Sequence, residues 1–198
     1  MPGAGRVENA VDRPAGDGRT RRVLFVRHGE TAYNRRQLRC GGDVDIPLTD
    51  HGEGQARAVG ERLRSAPDPI DAIIASPLQR TLRTAELIRE SLGGPPVPLF
   101  LHPGLIERRL GAWNGRDVAA TQPLLDAGLP PPGGEAEEAF RARVRDCLAD
   151  IVARGHRLPL LVASKGVGRV LGLLTGSDRR QPIANSELVA FAVGDDGP

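Results

Sequence analysis

What the sequence has little of narrows the class of protein before any motif is considered. Only one of its 27 Lys and Arg residues is a lysine, Lys165, and the others are arginine. Cysteine is equally scarce, and the two thiols of Cys40 and Cys147 are too few for a disulfide framework or a cysteine-based zinc site. We therefore expect free thiols in a reducing cytoplasm, and the ligand spacing predicts no metal site.

Long apolar runs are missing as well, and their absence excludes other classes. No run approaches the roughly 18 apolar residues that mark a membrane-spanning helix, so no membrane partner is expected. Residues 1–20 lack the apolar core of a signal peptide, and their turn-rich composition predicts a disordered leader. A net charge of +2 with interspersed signs does not suggest nucleic-acid binding. The length of 198 residues predicts one domain, at 21–198.

What is present is an alternation of short β-rich apolar runs and amphipathic stretches. Strands are predicted at 23–26, 70–75, 97–101, 158–163 and 188–193. Helices are predicted at 116–127, 135–154 and 166–174 and after the N-caps Thr49 and Ser76, whereas 32–48 and 102–115 should be irregular. This order favours an α/β layered fold with a mainly parallel sheet. Because His28, Ser76 and Lys165 follow strands, they should share one edge of that sheet.

Five short motifs follow one another along the chain. They are Arg27-His28-Gly29-Glu30-Thr31 with Asn34 and the segment 45–49, Ser76-Pro77-Leu78-x-Arg80, Leu105-x-Glu107 with Gly111-x-Trp113-x-Gly115, Pro132-Gly133-Gly134-Glu135, and Val162-x-Ser164-Lys165-Gly166-Val167. Together they make the chain resemble the histidine phosphatase superfamily, the phosphoglycerate-mutase-like proteins, over roughly residues 22–193. The resemblance implies a three-layer α/β/α sandwich around a mainly parallel central sheet, and a hydrolase without cofactors.

The resemblance also assigns roles, and the residue types suit them. A phosphoryl group spreads its charge over three oxygens and is bound by a fork of cations, which Arg27 and Arg80 would supply. His28 would attack phosphorus and become phosphohistidine, a role that suits an imidazole that is neutral near pH 7. Glu107 would protonate the leaving oxygen and then activate water. Further contacts to the phosphate are expected from Thr31, Asn34 and Gly166.

One departure from the family pattern decides how the site is interpreted. The family's last motif reads Ser-His-Gly, where this chain has Ser164-Lys165-Gly166. Lys165 could supply the missing positive charge, so that the protein remains a phosphomonoesterase of a small phosphorylated metabolite. Alternatively, its flexible ammonium disturbs the geometry and the protein binds phosphorylated ligands with impaired turnover, or the change is engineered or accidental. A mutase is less favoured, because the longer mutases carry an insertion for which this chain lacks room.

Smaller departures raise further questions. Arg108 and Arg109 would weaken Glu107 as an acid unless they point away, since nearby cations favour the carboxylate. The 40–43 segment and Asn114 also depart from the family pattern, and Trp113 either walls the site or packs. A loose dinucleotide-binding pattern of glycines at 166, 168 and 172 is better explained as a tight turn that places Lys165 beside the phosphate. Nothing in the sequence predicts the substrate or an oligomeric state.

Overall fold

Strands and helices alternate along the part of the chain that the computed structural model describes, residues 21–179 and 181–194. The predicted leader, 1–20, lies outside these residues. In chain order the elements are β1 (Arg21–Arg27), α1 (Ala32–Arg35), α2 (Asp50–Arg64), β2 (Ala72–Ala75), α3 (Gln79–Leu92), β3 (Leu99–Leu101), 3₁₀ turns at Pro103–Leu105 and Gly111–Trp113, α4 (Val118–Asp126), α5 (Glu137–Ala153), β4 (Pro159–Ala163), α6 (Lys165–Leu174) and β5 (Leu188–Val193).

The five strands form one sheet in the order β3-β2-β4-β1-β5. The pairs β2·β3, β2·β4 and β1·β4 are parallel, and only β5 runs antiparallel, beside β1. The mainly parallel sheet is thus confirmed. Arg27 lies opposite Ala163 in the register of β1 and β4, and the His28 amide donates to the Ala163 carbonyl at 2.9 Å. The residues that follow these two strands are therefore neighbours.

Helices cover both faces of the sheet, which confirms the three-layer α/β/α sandwich. Successive residues of β1 alternate between two cores: Val23 and Phe25 pack with α5 and α6, and Leu24 and Val26 pack with α2 and α3. A strand buried on both faces is expected to be a continuous apolar run, as this one is. The predicted inward face of α5 is buried, namely Phe140, Val144, Cys147, Leu148 and Ile151. No helix in the described ranges is long and apolar enough to cross a membrane.

Two local predictions are wrong, both at helix starts. The predicted loop at 32–48 contains α1, because Thr31 and Asn34 cap each other's backbone amides in a capping box. Ser76 is not the N-cap of α3: Leu78 takes that position, and the Gln79 amide is capped instead by the Asp45 carboxylate at 3.0 and 2.9 Å. A cap delivered from 34 residues away leaves no local sequence signal.

The other boundaries differ from the predictions by a few residues. Thr49 caps α2 as predicted, and its hydroxyl accepts from the Gly52 amide at 3.1 Å. The segment 102–115 is irregular except for its two 3₁₀ turns. Helix α6 begins one residue earlier than predicted, at Lys165 itself, so the only lysine stands in the first turn of a helix.

Candidate active site

A cleft of ≈ 790 Å³ opens where β1 and β4 end. It brings together six of the eight residues predicted from the sequence: Arg27, His28, Asn34, Glu107, Lys165 and Gly166. The other two do not line it. Thr31 is fully buried in its capping box, and Arg80 is buried beneath the surface. Six of the predicted residues therefore share one cleft, whereas Thr31 and Arg80 lie outside its lining, and the roles predicted for all eight stay predictions.

His28 is held as a neutral imidazole with a defined orientation. Its side chain is 4 % exposed, and Nδ1 lies 2.7 Å from the Gly29 carbonyl oxygen. That contact requires a hydrogen on Nδ1 and leaves Nε2 with a free lone pair. Burial, and then the positive charges of Arg80 and Arg27, lower the pKa of His28 well below its usual value. The ring therefore stays nucleophilic at pH values where an ordinary histidine would be protonated.

Asn185 fixes the backbone around His28, and sequence reasoning missed it. Its amide nitrogen lies 2.9 Å from the His28 carbonyl oxygen, 3.1 Å from that of Gly29 and 3.1 Å from Oδ1 of Asn34. The Gly29 oxygen is the one that His28 Nδ1 contacts, so Asn185 acts on the hydrogen bond that orients the ring. An asparagine in a turn before a strand is ordinary, and nothing local marked this one as functional.

Arg27 is tied down by the same stretch of chain, Ile183–Ser186, which we call the clamp segment. Its guanidinium donates to the Ile183 carbonyl at 3.0 Å, and its own carbonyl accepts from the Ser186 amide at 2.9 Å. Burial lowers the pKa of Arg27, with Glu107 opposing and Arg80 reinforcing that shift. Nε of Arg27 is buried without a partner among the described residues, which leaves it a donor for an anion.

Arg80 organises the cleft without lining it. It is 1 % exposed, donates to the Val44 carbonyl at 2.9 Å and the Gly41 carbonyl at 3.2 Å, and lies 3.7 Å from the Asp45 carboxylate. Its guanidinium therefore holds the 41–45 loop, and its charge acts on His28. Direct contact between Arg80 and a phosphate stays a prediction.

Glu107 lines the cleft, and its carboxylate accepts two backbone hydrogen bonds. One carboxylate oxygen accepts from the Arg108 amide at 2.7 Å and the other from the Gly166 amide at 2.8 Å. A Cβ at Gly166 would overlap this carboxylate, so a larger residue there would have to displace the Glu107 side chain. The Arg108 guanidinium points away, donating to the Glu135 carbonyl and the Glu137 carboxylate, both at 2.8 Å. The charge of Arg108 is therefore paired with Glu137 and not with the predicted proton donor, Glu107.

The 40–43 segment is held in place by Asn114, and both depart from the pattern of the family that the chain resembles. Asn114 accepts from the Gly41 amide and donates to the Asp43 carboxylate, each at 2.7 Å. Asp43 also accepts from the Leu110 and Gly111 amides. A carboxylate at 114 would face that of Asp43, so an amide suits the position better. The neighbouring Trp113 is buried and does not line the cleft, which leaves it a packing role.

Lys165 is the least constrained charge in the cleft. It is half-buried and follows the N-cap Ser164, and its side chain makes no hydrogen bond or ion pair to any residue in 21–179 or 181–194. Burial lowers its pKa, as do the charges of Arg27 and Arg39, whereas Glu107 opposes them. The site therefore favours the neutral amine more than the surroundings of a solvent-exposed lysine would.

Arg39 is a second residue that sequence reasoning missed. It lines the cleft, is 8 % exposed, and is held on α4 by hydrogen bonds of 2.8 Å each to Thr121 and Gln122. Nothing distinguished it from the other arginines of an arginine-rich chain. It lines the cleft together with Arg27 and Lys165, and the charges of both arginines act on Lys165.

Two other ligand classes find no support in the described residues. Gly168 packs directly against Phe25 and Ile183, where a Cβ would overlap both side chains. The glycine pattern of α6 therefore serves close packing of helix on sheet, and the dinucleotide interpretation stays rejected. Among the residues that are described, no three His, Cys, Asp or Glu side chains are grouped to hold a metal ion.

Comparison with known proteins agrees with this geometry. Residues 23–191 match the model of the histidine phosphatase superfamily (branch 1). A probable phosphoglycerate mutase GpmB from Photorhabdus laumondii is 37% identical over 182 residues, which are 84% of this chain and 82% of that protein. The fructose-2,6-bisphosphatase TIGAR B of Danio rerio is 34% identical over 139 residues, 67% of this chain and 53% of that one.

A solved structure shows the same architecture. The protein TTHB049 from Thermus thermophilus superposes with a TM-score of 0.66 at 33% identity and covers 85% of this chain and 92% of its own. The family match spans the sheet, both helical layers and every motif that lines the cleft. The chain therefore belongs to the histidine phosphatase superfamily.

Proposed function

We propose that the protein is a phosphomonoesterase that hydrolyses a small phosphorylated metabolite through a phosphohistidine at His28, with Glu107 as proton donor. The observation that carries the proposal is the pairing of a buried, neutral, backbone-oriented imidazole with a carboxylate in one cationic cleft. Its volume of ≈ 790 Å³ is that of a small-molecule site. Two of the relatives are named for reactions on phosphate esters.

In the first step the Nε2 lone pair of His28 attacks phosphorus and the bond to the leaving oxygen breaks. Glu107 gives its proton to that oxygen. Arg27, Arg39 and Lys165 balance the charge on the non-bridging oxygens. In the second step Glu107 takes a proton from water, the oxygen of that water attacks phosphorus, and the phosphorus–nitrogen bond breaks. Orthophosphate leaves, and His28 is again neutral.

The test measures phosphate release from p-nitrophenyl phosphate together with acid-labile phosphate on the protein. His28→Ala should abolish both, because no other group replaces the nucleophile. The matched control is His51→Ala, since His51 is an exposed histidine of α2 whose ring is hydrogen-bonded to Gln55 and does not line the cleft. The proposal is wrong if His28→Ala retains wild-type turnover.

A mutase is a second candidate, because the GpmB relatives are named as probable phosphoglycerate mutases. Both reactions share the first step and differ in the acceptor, which is a second hydroxyl of the substrate or water. Product analysis separates them: a phosphatase releases one orthophosphate per substrate consumed, and a mutase releases little and yields a positional isomer.

A phosphate-binding protein without rapid turnover is the third candidate, and Lys165 motivates it. Its charge is disfavoured in the empty site and its side chain has no fixed partner among the described residues. Calorimetric binding of a phosphate ester without release, together with activity created by Lys165→His, would favour this candidate over the phosphatase.

We infer a cytoplasmic setting and no nucleic-acid or membrane partner. Cys40 and Cys147 are both free thiols, which supports a reducing compartment. Burial raises the pKa of Cys147 to about 12, so this thiol is inert and needs no protection.

A further inference from the structure

Lys165 brings chemistry to the cleft that the proposed hydrolysis does not use. A lysine carries a primary amine, and a neutral primary amine condenses with aldehydes and ketones, whereas an imidazole or a guanidinium does not. This amine is the only lysine side chain of the protein. It stands at the N-terminus of α6 and lines the cleft beside His28.

The charges around Lys165 come from every element that faces it. Arg27 faces it from the end of β1, Arg39 from the segment between α1 and α2, and Glu107 from the stretch after the first 3₁₀ turn. One turn further along α6, Arg169 lines the same cleft but is bound to Glu137 at 2.6 Å. Two cations and one carboxylate therefore act on the amine.

This environment has two consequences for reactivity. Burial and the two arginines lower the pKa of Lys165, so more of the nucleophilic free amine is present near neutral pH than for a solvent-exposed lysine. The arginines persist as cations, and Nε of Arg27 has no partner among the described residues. An anionic group of a ligand can therefore bind without Lys165, which leaves the amine available.

We propose that the cleft captures phosphorylated aldehydes and ketones as Schiff bases on Nζ of Lys165, with the phosphate held by Arg27 and Arg39. The capture uses the anion-binding end of the proposed active site but needs no hydrolysis. It goes beyond a phosphatase function because the product is a reversible covalent complex. A phosphorylated carbonyl compound would thereby occupy the cleft and exclude other phosphate esters.

The bond changes balance without an oxidant or reductant. The amine lone pair attacks the carbonyl carbon, the carbon–oxygen π pair moves to oxygen, and a proton passes from nitrogen to oxygen to give a carbinolamine. The nitrogen lone pair then forms the carbon–nitrogen double bond while the hydroxyl takes a proton from Glu107 and leaves as water. The iminium that results returns its N–H proton to Glu107 to give the imine. The imine keeps the amine's nitrogen, and one water is released for each ligand bound.

Glu107 is placed to carry the proton for the second step. Its carboxylate is bound to the amide of Gly166, the residue that follows Lys165. The phosphate supplies selectivity, since an anchored carbonyl meets the amine at a far higher effective concentration than a free one. Aldehydes without a phosphate should therefore react much more weakly.

The experiment uses pyridoxal 5′-phosphate as the probe, with borohydride reduction to fix the imine and peptide mapping to locate it. We expect saturation at one label per chain on the peptide that contains Lys165. Orthophosphate should protect that peptide, and pyridoxal without its phosphate should label it at least tenfold more weakly. Lys165→Arg keeps the positive charge, so this variant should fold normally by circular dichroism and lose the label.

Two controls make the result decisive. The α-amino group of the protein that is tested, on Met1 when the chain is prepared with the sequence given, is a second primary amine and reports unselective labelling in the same digest. His28→Ala prevents hydrolysis of the probe and should keep the label, so capture is measured independently of turnover. Label on Met1 alone, equal labelling by pyridoxal, or no protection by orthophosphate would overturn the proposal. Labelling of Lys165 in a protein that hydrolyses no ester would overturn only the proposed phosphatase.

Discussion

The two sides of the cleft differ in how their reactive nitrogens are held. On the β1 side, His28 is fixed by its own ring contact to the Gly29 carbonyl, by the Ala163 carbonyl across the sheet and by Asn185. On the α6 side, the Lys165 backbone is fixed by a helix, but its side chain has no bonded partner within the described residues.

The difference shows which side sets the reaction and which side adapts to the ligand. An in-line displacement tolerates little misplacement of the nucleophile, and a nitrogen held by backbone contacts meets that demand. A lysine side chain gives up about 1.5–2 kcal/mol of rotamer entropy when it is immobilised, so it remains mobile until a ligand binds it. The same amine can then meet either a phosphoryl oxygen or a carbonyl carbon.

The largest expected effect lies at Glu107, whose carboxylate is held by two backbone amides. Glu107→Gln preserves the shape of the side chain but removes the proton donor, and general acid–base catalysis contributes roughly 10²–10⁴-fold. We expect a loss of turnover in that range with an alkyl phosphate. The loss should be smaller with p-nitrophenyl phosphate, whose leaving group needs no proton.

Glu138→Gln is the matched control, because Glu138 is exposed in the first turn of α5, outside the cleft. It should leave turnover unchanged with both esters. Equal losses by Glu107→Gln with both esters would contradict the role of proton donor.

A smaller effect is expected at Gly166, whose backbone amide donates to the Glu107 carboxylate. Gly166→Ala places a methyl group against the Glu107 carboxylate and must displace it, and a shift of about 1 Å costs on the order of a hundredfold in rate. Steady-state kinetics should show the loss in kcat with the fold intact by circular dichroism.

Gly54→Ala provides the contrast, since a Cβ there meets nothing within 4 Å and α2 favours alanine. It should keep full activity and raise the free energy of unfolding by about 0.5–1 kcal/mol. If Gly166→Ala kept wild-type kcat, the Glu107–Gly166 contact would be irrelevant to turnover.

A substitution at Asn185 tests whether the position of His28 depends on the clamp segment. Asn185→Ala removes the donor shared by the His28 and Gly29 carbonyls and by Asn34, and we expect roughly a tenfold fall in kcat, the loss that about 1.4 kcal/mol produces. A positioning role also predicts a change in the pH profile of kcat/KM, which a loss of stability alone would not cause. Gln79→Ala, at an exposed amide outside the cleft, should change neither quantity.

The smallest expected effect is on stability and comes from the charge of Lys165, on the α6 side of the cleft. The pKa of Lys165 is lowered in the fold, so the unfolded chain binds its proton more tightly between that lowered pKa and 10.5. Within this window the unfolded chain still carries the Lys165 proton, whereas the folded protein has already released it. The free energy of unfolding should therefore rise as pH rises across the window. Lys165→Met should flatten that rise and increase Tm at neutral pH by about 2–4 °C for each kcal/mol of repulsion removed.

The charge of Lys165 should make turnover fall with rising pH, whereas stability should rise. Turnover of the wild type should fall as pH rises through the lowered pKa of Lys165, because the neutral amine no longer balances phosphate charge. Lys165→Arg should shift that fall to higher pH, since a guanidinium keeps its proton. Identical basic limbs of the pH–rate profile in the two proteins would show that the charge of Lys165 has no part in turnover.

The sequence predicted the residues whose positions depend on strand ends. His28 and Lys165 follow β1 and β4, and adjacent parallel strands bring such positions together, so their convergence could be inferred from local patterns. Glu107 could be placed only through the family resemblance, because it lies on an irregular stretch that has no period to interpret.

Contacts between distant segments were beyond such reasoning. Asn185 meets the His28 carbonyl across 157 residues, Arg39 meets Gln122 across 83, and Asp45 caps α3 from 34 residues away. Each is a common residue type in an ordinary local setting. Only the packed tertiary structure gives these side chains their roles, so no pattern of neighbours along the chain could single them out.

Strand β5 pairs antiparallel with β1 although it lies far from β1 in the sequence, and this decides when the site can be completed during synthesis. A ribosome adds His28 early and Asn185 157 residues later, an interval of roughly 8 to 30 s at about 5–20 residues per second. Until β5 pairs with β1, Arg27 lacks the Ile183 carbonyl and the Gly29 carbonyl lacks Asn185. In the nascent chain His28 and Arg27 therefore lack these contacts. The site is complete only after β5 has been made and has paired with β1.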